Sequence, residues 1–330
     1  MRIADIARLA GVSPATASRV LNGATTVRQD SRERVIRIAG RFGYQANQLA
    51  RNLRHGRADV VGVLVSDIEN PHFAAMVRAI EDALYLRGKR VLLCNTSEDA
   101  EKQAAYLDVM AAERVSGVLI SPSDPEGPEI ARLLDLGIPV VAFDRAVTDP
   151  RADAITADNA EAAARAVDLL AAAGHTRIGL IGGRAGVQTG DERLLGYRRA
   201  MAEHSLEAVD SPGGFTVEGG RSATGRLVDG RTGLTALVIG NNQMTIGALQ
   251  ALRERGLRVP DDLALVAFDD PAWASLIEPP LTVLAQPVRE MSTAAVDVLF
   301  DRLENVRSQP QRLVFTFDLR FRRSCGTGNN

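Results

Sequence analysis

Apolar positions along the chain follow two different rhythms. Near the start, Ile3, Ile6, Ala7, Leu9 and Ala10 recur at helical spacing, and Val20 and Leu21 give the next segment an inward face. After residue 60 the pattern changes to short, nearly continuous apolar runs: VVGVLV, RVLLC, GVLIS and PVVAF, then RIGLIG, TALVIG, LALVAF and LTVLAQ. Amphipathic stretches such as HFAAMVRAIEDALYLRG and NQMTIGALQALRERG separate them. Strands that are apolar on both faces and alternate with helices predict parallel sheets covered by helices on each side. There are too many runs for one small sheet, and the pattern restarts after about residue 158. Two similar α/β lobes are expected, with a ligand cleft outside the carboxyl ends of their strands.

The first rhythm resolves into a motif. In IADIARLAGVSPATASRVLN, Gly11 tolerates the left-handed backbone that closes a helix, and Val12 can plug the turn. Ser13 is a good N-cap and Pro14 suits the first position of a second helix. Two short helices joined by a tight glycine turn form a helix-turn-helix. A third helix is predicted near DSRERVIRIAGRFGY, with Val35, Ile36, Ala39 and Phe42 on its apolar side and Gly43 at its end. The second helix begins with unusually slim side chains, as a helix entering the DNA major groove must. Ala15 and Ala17 would permit close approach, Thr16 and Ser18 could hydrogen-bond phosphates or base edges, and Arg19 could reach phosphate or guanine. The plainer alternative, a short surface helix with a proline start, leaves the local charge unexplained.

That charge is concentrated. The 330-residue chain has a net charge of −2. Residues 1–60 hold 11 Arg and no Lys against Asp5, Asp30, Glu33 and Asp59, so they carry +7 (11 − 4) and the remainder −9 (−2 − 7). A basic head on an acidic body predicts that the head meets a polyanion. No apolar run approaches the roughly 18 residues of a membrane span. No basic segment followed by an apolar stretch and a cleavage site marks the N-terminus, so a cytoplasmic protein is expected, nucleoid-associated when on DNA. Cys94 and Cys325 are far apart, and neither they nor His55, His72, His175 and His204 show metal-ligand spacing. IGGRAG is a glycine-rich turn that fits no dinucleotide or phosphate-loop fingerprint; it reads as a tight strand exit, with a place against the ligand as the alternative. With no nucleophile-and-base set visible, no metal, cofactor or catalysis is expected.

The segments IADIARLAGVSPATASRVLNG and YQANQLARNLRHGR resemble the head and hinge of the lactose/galactose repressor (LacI/GalR) family of bacterial transcription regulators. NP.F at 70–73, ERGLRVPDDLALVAFDD and PPLTVLAQP extend the resemblance over nearly the whole chain. It implies a helix-turn-helix head at 1–45, a hinge helix at 46–59, and a two-lobe body like a periplasmic binding protein at 60–330. Lobe one would comprise about 60–157 and 287–313, and lobe two about 158–286 and 314–330. Ser13, Pro14, Ala15, Thr16, Ser18, Arg19 and Asn22 of the head, with Asn47, Leu53 and Arg54 of the hinge, would contact palindromic operator DNA. Leu53 would wedge into the minor groove, where an apolar side chain costs a few kcal/mol of unstacking that backbone contacts repay. Departures from the family pattern are Arg2 and Arg28 at helix starts, Ala46 in place of a hinge proline, and Asn242 in place of an acidic residue.

The resemblance also assigns an effector site to Asp67, Phe73, Asp144, Arg193, Asn241 and Asp269, most of which follow predicted strands. Their chemistry suits a polyol: carboxylates accept from hydroxyls, arginine donates a fixed fork, and an aromatic ring stacks on the apolar sugar face. A lone aspartate at a strand end is more often a loop cap, and six such residues together shift the balance. His72, beside Phe73, is read as at most a rim residue. The expected protein is a homodimeric repressor controlled by a small molecule, most simply a sugar or sugar derivative, bound between the lobes. The tail RRSCGTGNN has no heptads, so no tetramerising helix is expected. An α/β enzyme acting on a sugar or nucleotide, with a basic arm, is the competing reading. A transporter's solute-binding protein is the third.

Overall fold

The computed structural model describes residues 3–21, 26–42, 59–230 and 233–326. Asn22, Asn47, Leu53 and Arg54 therefore lie outside the described residues, as do Arg2, Gly43 and Ala46. The chain divides into two compact units, 1–59 and 60–330.

In the first unit, α1 (Ile3–Ala10), α2 (Pro14–Leu21) and α3 (Gln29–Arg41) enclose a small core of Ile6, Ala7, Ala10, Ala17, Val20, Val35 and Ala39. Gly11 turns the chain at φ +63°. The Val12 N–H then reaches the Ala7 carbonyl at 3.0 Å and the Gly11 N–H that of Arg8 at 3.3 Å, which closes α1 as a Schellman turn. The Ser13 hydroxyl accepts the Thr16 N–H at 3.1 Å and caps α2. No side chain caps α3, which starts after Arg28. Its buried stripe differs from the expected one: Val35 and Ala39 are buried with Ile38 packed beside them, whereas Ile36 is 52% and Phe42 50% exposed. A helix turns about 100° per residue, so Ile36 and Ile38 flank the Val35–Ala39 stripe at about equal angles on opposite sides, and packing against the other head helices takes in Ile38 and leaves Ile36 out.

The second unit contains two six-stranded sheets. The first has strand order β11-β5-β4-β3-β1-β2 and is parallel throughout; its strands are β1 (Val60–Val65), β2 (Arg90–Asn95), β3 (Gly117–Ile120), β4 (Val140–Phe143), β5 (Asp153–Ala157) and β11 (Arg312–Phe315). The second has order β12-β10-β9-β8-β6-β7, from β6 (Ile178–Gly182), β7 (Val209–Pro212), β8 (Ala236–Ile239), β9 (Ala264–Phe268), β10 (Thr282–Ala285) and β12 (Asp318–Arg320). The β12 strand runs antiparallel to β10, so this sheet is parallel except at one edge. All eight apolar runs form strands. Four strands were absent from that series: β5, whose alternate residues are small or polar, and β7, β11 and β12, which lie at sheet edges. An edge strand has one strand neighbour and can keep polar residues.

Helices cover both sheets. In the first lobe they are α4 (Pro71–Leu86), α5 (Ala100–Ala112), α6 (Pro128–Asp135) and α11 (Val288–Leu303). In the second they are α7 (Asn159–Ala172), α8 (Gln188–Glu203), α9 (Val217–Asp229) and α10 (Asn242–Glu254). The chain passes between lobes near residue 158, near 286, and between β11 and β12. Among the described residues no helix is long and apolar enough to cross a membrane, and no cluster of His, Cys, Asp and Glu could hold a metal ion.

Two helix pairs of the second lobe pack backbone to backbone. A Cβ added at Gly196 of α8 would fall 1.9 Å from the Ala160 carbonyl oxygen of α7, and one at Gly247 of α10 would fall equally close to that of Val217. Gly196→Ala should therefore lower unfolding free energy by about 1–3 kcal/mol, because backbone cannot yield as a side chain tip can. Urea denaturation reads this, and a wild-type midpoint would disprove the close approach.

Candidate functional site

In the head unit, Ser13, Pro14, Ala15 and Arg19 are exposed, and Thr16 and Ser18 are half-buried. The Ser13 and Thr16 hydroxyls lie 2.9 Å apart, so the cap also orients Thr16. Ala17, expected to permit close approach to a groove, does not face outward. It is fully buried in the head core and contributes packing rather than clearance for a groove. What remains outward at the start of α2 is a small stripe, Ser13, Pro14 and Ala15, leading to one arginine.

In the body, a cavity of 480 Å³ lies at the strand ends of both lobes. It includes all six residues proposed from the sequence: Asp67, Phe73, Asp144, Arg193, Asn241 and Asp269. Asp144 follows β4 and Asp269 follows β9, and both take left-handed backbone, at φ +65° and +71°. Aspartate is among the side chains that enter this region most readily. Both are buried, as are Arg193 and Asn241.

Arg193 comes from α8. Its Nε donates to Asn159 Oδ1 at 2.9 Å, one Nη donates to the Gly240 carbonyl, and its guanidinium stacks 4.3 Å above the Phe268 ring. Burial pulls its pKa below the usual guanidinium range, against the opposing charges of Asp269 and Asp144. Asn241 is largely committed to the fold. Its Oδ1 caps α10 by accepting the Met244 N–H at 2.8 Å, and its Nδ2 donates to the Phe215 carbonyl at 3.4 Å. Asp67 Oδ1 accepts the Glu69 N–H at 3.0 Å, and Asp269 Oδ2 accepts the Asn242 N–H at 3.2 Å. Each of these carboxylates keeps further lone pairs.

Two residues escaped the sequence reading. His72 is not at the rim: its side chain is 7% exposed. Its Nε2 lies 3.6 Å from Asp144 Oδ1 and its Nδ1 4.0 Å from Asp269 Oδ1. Burial alone would depress its pKa, but the two carboxylates outweigh burial and raise it above 6.5. In return, burial favours protonation of Asp144, yet His72, Arg145 and Arg193 hold its pKa below the usual aspartate value. The available signal was Asn70-Pro71: Asn70 Oδ1 caps α4 by accepting the His72 N–H at 3.0 Å, which sets the imidazole in the first turn beside the strand ends. Phe215 is the second. It sits at φ +66° and lines the cavity, with its ring where a Cβ on Gly183 would be. The IGGRAG turn thus makes room for an aromatic wall of the cavity, in line with the alternative placing of that turn against the ligand.

Arg145 forms a bidentate pair with Glu98 at 2.7 and 2.8 Å. Arg184, on the IGGRAG turn, is exposed and also lines the cavity.

Comparison with known proteins gives a consistent result. The model of bacterial regulatory proteins of the lacI family matches residues 2–47, and that of the periplasmic binding protein-like domain matches residues 167–325. The HTH-type transcriptional repressor PurR of Aliivibrio salmonicida is 31% identical over 92% of each chain. The ribose operon repressor of Escherichia coli K12 is 33% identical over 94% of this chain and 96% of that one. A crystal structure of the lac repressor dimer bound to operator and an anti-inducer superposes with a TM-score of 0.86 at 25% identity, covering 98% of this chain and 99% of that one.

Proposed function

The chain belongs to the lacI family of bacterial regulatory proteins, and from that premise we propose that it is a homodimeric repressor whose grip on a palindromic operator is set by an uncharged sugar in the cavity between its lobes. It is a DNA-binding transcriptional regulator under small-molecule control, not an enzyme.

In this reading Ser13, Pro14, Ala15, Thr16, Ser18 and Arg19 face the groove. Asn22, Asn47, Leu53 and Arg54 belong to the same interface on the strength of sequence resemblance. Two copies would present two such helices to the two half-sites of a palindrome. Tyr85 and Leu86 at the end of α4, and Leu93 on the edge strand β2, are exposed apolar side chains available to a second copy.

The observation that carries the effector class is the pair of buried carboxylates, Asp144 and Asp269, in a cavity that also holds Phe73 and Phe215. Carboxylates accept from hydroxyls, and phenyl rings cover the apolar face of a sugar. Of the cavity's arginines, Arg145 is occupied by Glu98 and Arg193 by Asn159 and Gly240, which leaves exposed Arg184 as the arginine open to an anionic group. The ribose operon repressor among the relatives supports a sugar.

A thermal-shift screen of pentoses, hexoses, disaccharides, sugar phosphates and nucleobases tests this. An uncharged sugar should raise the melting temperature and change operator affinity by a factor of about 5–150, the range of typical coupling free energies. Hits confined to phosphates or nucleobases would overturn the sugar assignment while leaving the regulator reading in place.

A further inference from the structure

We propose that His72 is a charged clasp between the two lobes, so that closing the cleft takes up a proton. The proposal rests on the cavity being the effector cleft. It adds a role for a residue with no place in the polyol chemistry above.

The ring belongs to the first turn of α4 in the first lobe. Asp144 follows β4 of the same lobe, and Asp269 follows β9 of the other. The imidazole thus stands between carboxylates from both lobes, one facing each nitrogen at 3.6 and 4.0 Å. Neutral imidazole must turn a lone pair toward one of these carboxylates, whereas imidazolium offers an N–H to both. Nε2 is buried and has no hydrogen-bond partner among the described residues, an arrangement costly for an uncompensated polar atom and improved by charge.

The surrounding charges favour the cation. The groups that act on the ring are Asp144, Asp269 and, from α8, Arg193. They sum to −1 without a charge on the ring and to zero with one. Arg145 lies 3.5 Å from Asp144, but Glu98 neutralises it. The Phe73 ring is uncharged and meets the imidazole in a T-shaped arrangement, 5.2 Å between centroids. A neutral lobe-to-lobe bond stands alongside: Asn242 Nδ2 donates to Asn70 Oδ1 at 2.8 Å, on the same side chain that accepts the His72 N–H.

Opening the lobes would withdraw Asp269 and leave Asp144, so the ring would hold its proton less tightly when open. By linkage, acid favours closure. In the closed fold the raised pKa contributes stability that is complete below about 6.5 and is lost as pH rises through the folded value.

The test uses the full chain without ligand, labelled with 13C at histidine Cε1 and titrated by NMR from acid to alkaline pH, with His72→Gln assigning the resonance. The His72 midpoint should lie above 6.5, and Asp269→Asn should lower it although that residue is on the other lobe. Small-angle scattering should show wild type more compact at low pH than at high pH, and His72→Gln unchanged by pH. A midpoint at or below 6.5, one that Asp269→Asn does not move, or a pH-invariant wild-type radius would each overturn the clasp. None of these outcomes bears on which sugar the screen finds, so the two readings fail separately.

Discussion

Arg193→Ala is expected to lower the unfolding free energy of the body by about 3–5 kcal/mol, the usual cost of removing one partner from a buried charge set. Three losses coincide at this residue. Asp144 and Asp269 lose the guanidinium that offsets their burial. Asn159 Oδ1 and the Gly240 carbonyl lose their donor. Phe268 loses the cation stacked on its ring. Arg193→Lys would restore a charge but not the fork that serves two acceptors at once, so it should recover only part of the loss. The penalty should also depend on pH. Asp144 has a depressed folded pKa, so the stability it contributes is present above the ordinary aspartate value and is lost as pH falls through the folded one. Arg193→Ala gives up part of that contribution, and its deficit against wild type should shrink in acid. Urea denaturation at neutral and acid pH measures both effects, and the sugar found by screening should no longer raise the variant's melting temperature. A loss below about 1 kcal/mol at neutral pH would place Arg193 outside the charge set, because that is the scale of an exposed ion pair.

Structure is legible in this sequence where one local rule decides the outcome. A glycine at a helix end, a serine followed by proline, and runs of Val, Ile and Leu each have one dominant physical solution. The turn at Gly11, the cap at Ser13 and the central strands follow from them. It is less legible where a choice depends on a neighbour distant in sequence. The third head helix has apolar residues at both Val35 and Ile36, and only packing against α1 and α2 decides that Val35 goes inside. Ala17 is as small as Ala15, and small size alone cannot separate a groove-facing alanine from a core one. His72 and Phe215 illustrate the same limit at the cavity. Nothing in HFAAM places the imidazole between two aspartates about 70 and 200 positions later, and the space for Phe215 exists because Gly183 lacks a side chain. Asn241 and Asp67 show the reverse: both line the cavity, yet both also make the backbone bonds of ordinary caps and turns.

Removing residues 1–57 should abolish specific binding to palindromic DNA and reverse the electrostatics of the chain toward it. Residues 1–60 carry +7 and the remainder −9, so the truncated protein is an acidic body that a polyanion repels. The intact protein should bind with the steep salt dependence of counterion release. A dimer making about 6–10 phosphate contacts would lose roughly 10³–10⁵ in affinity between 50 and 200 mM salt. Within the head, Arg19→Ala removes one long cation from the stripe that begins at Ser13 and should flatten that salt slope by about one contact per subunit without altering the fold, since Arg19 is exposed. Fluorescence anisotropy with a labelled palindromic duplex across a salt series distinguishes the cases. The truncated chain should still melt cooperatively and respond to the screened sugar, because the body forms a compact unit of its own. If it bound the duplex as tightly as the intact protein, or if the intact protein gave a flat salt series, the exposed start of α2 would not be the surface that meets DNA.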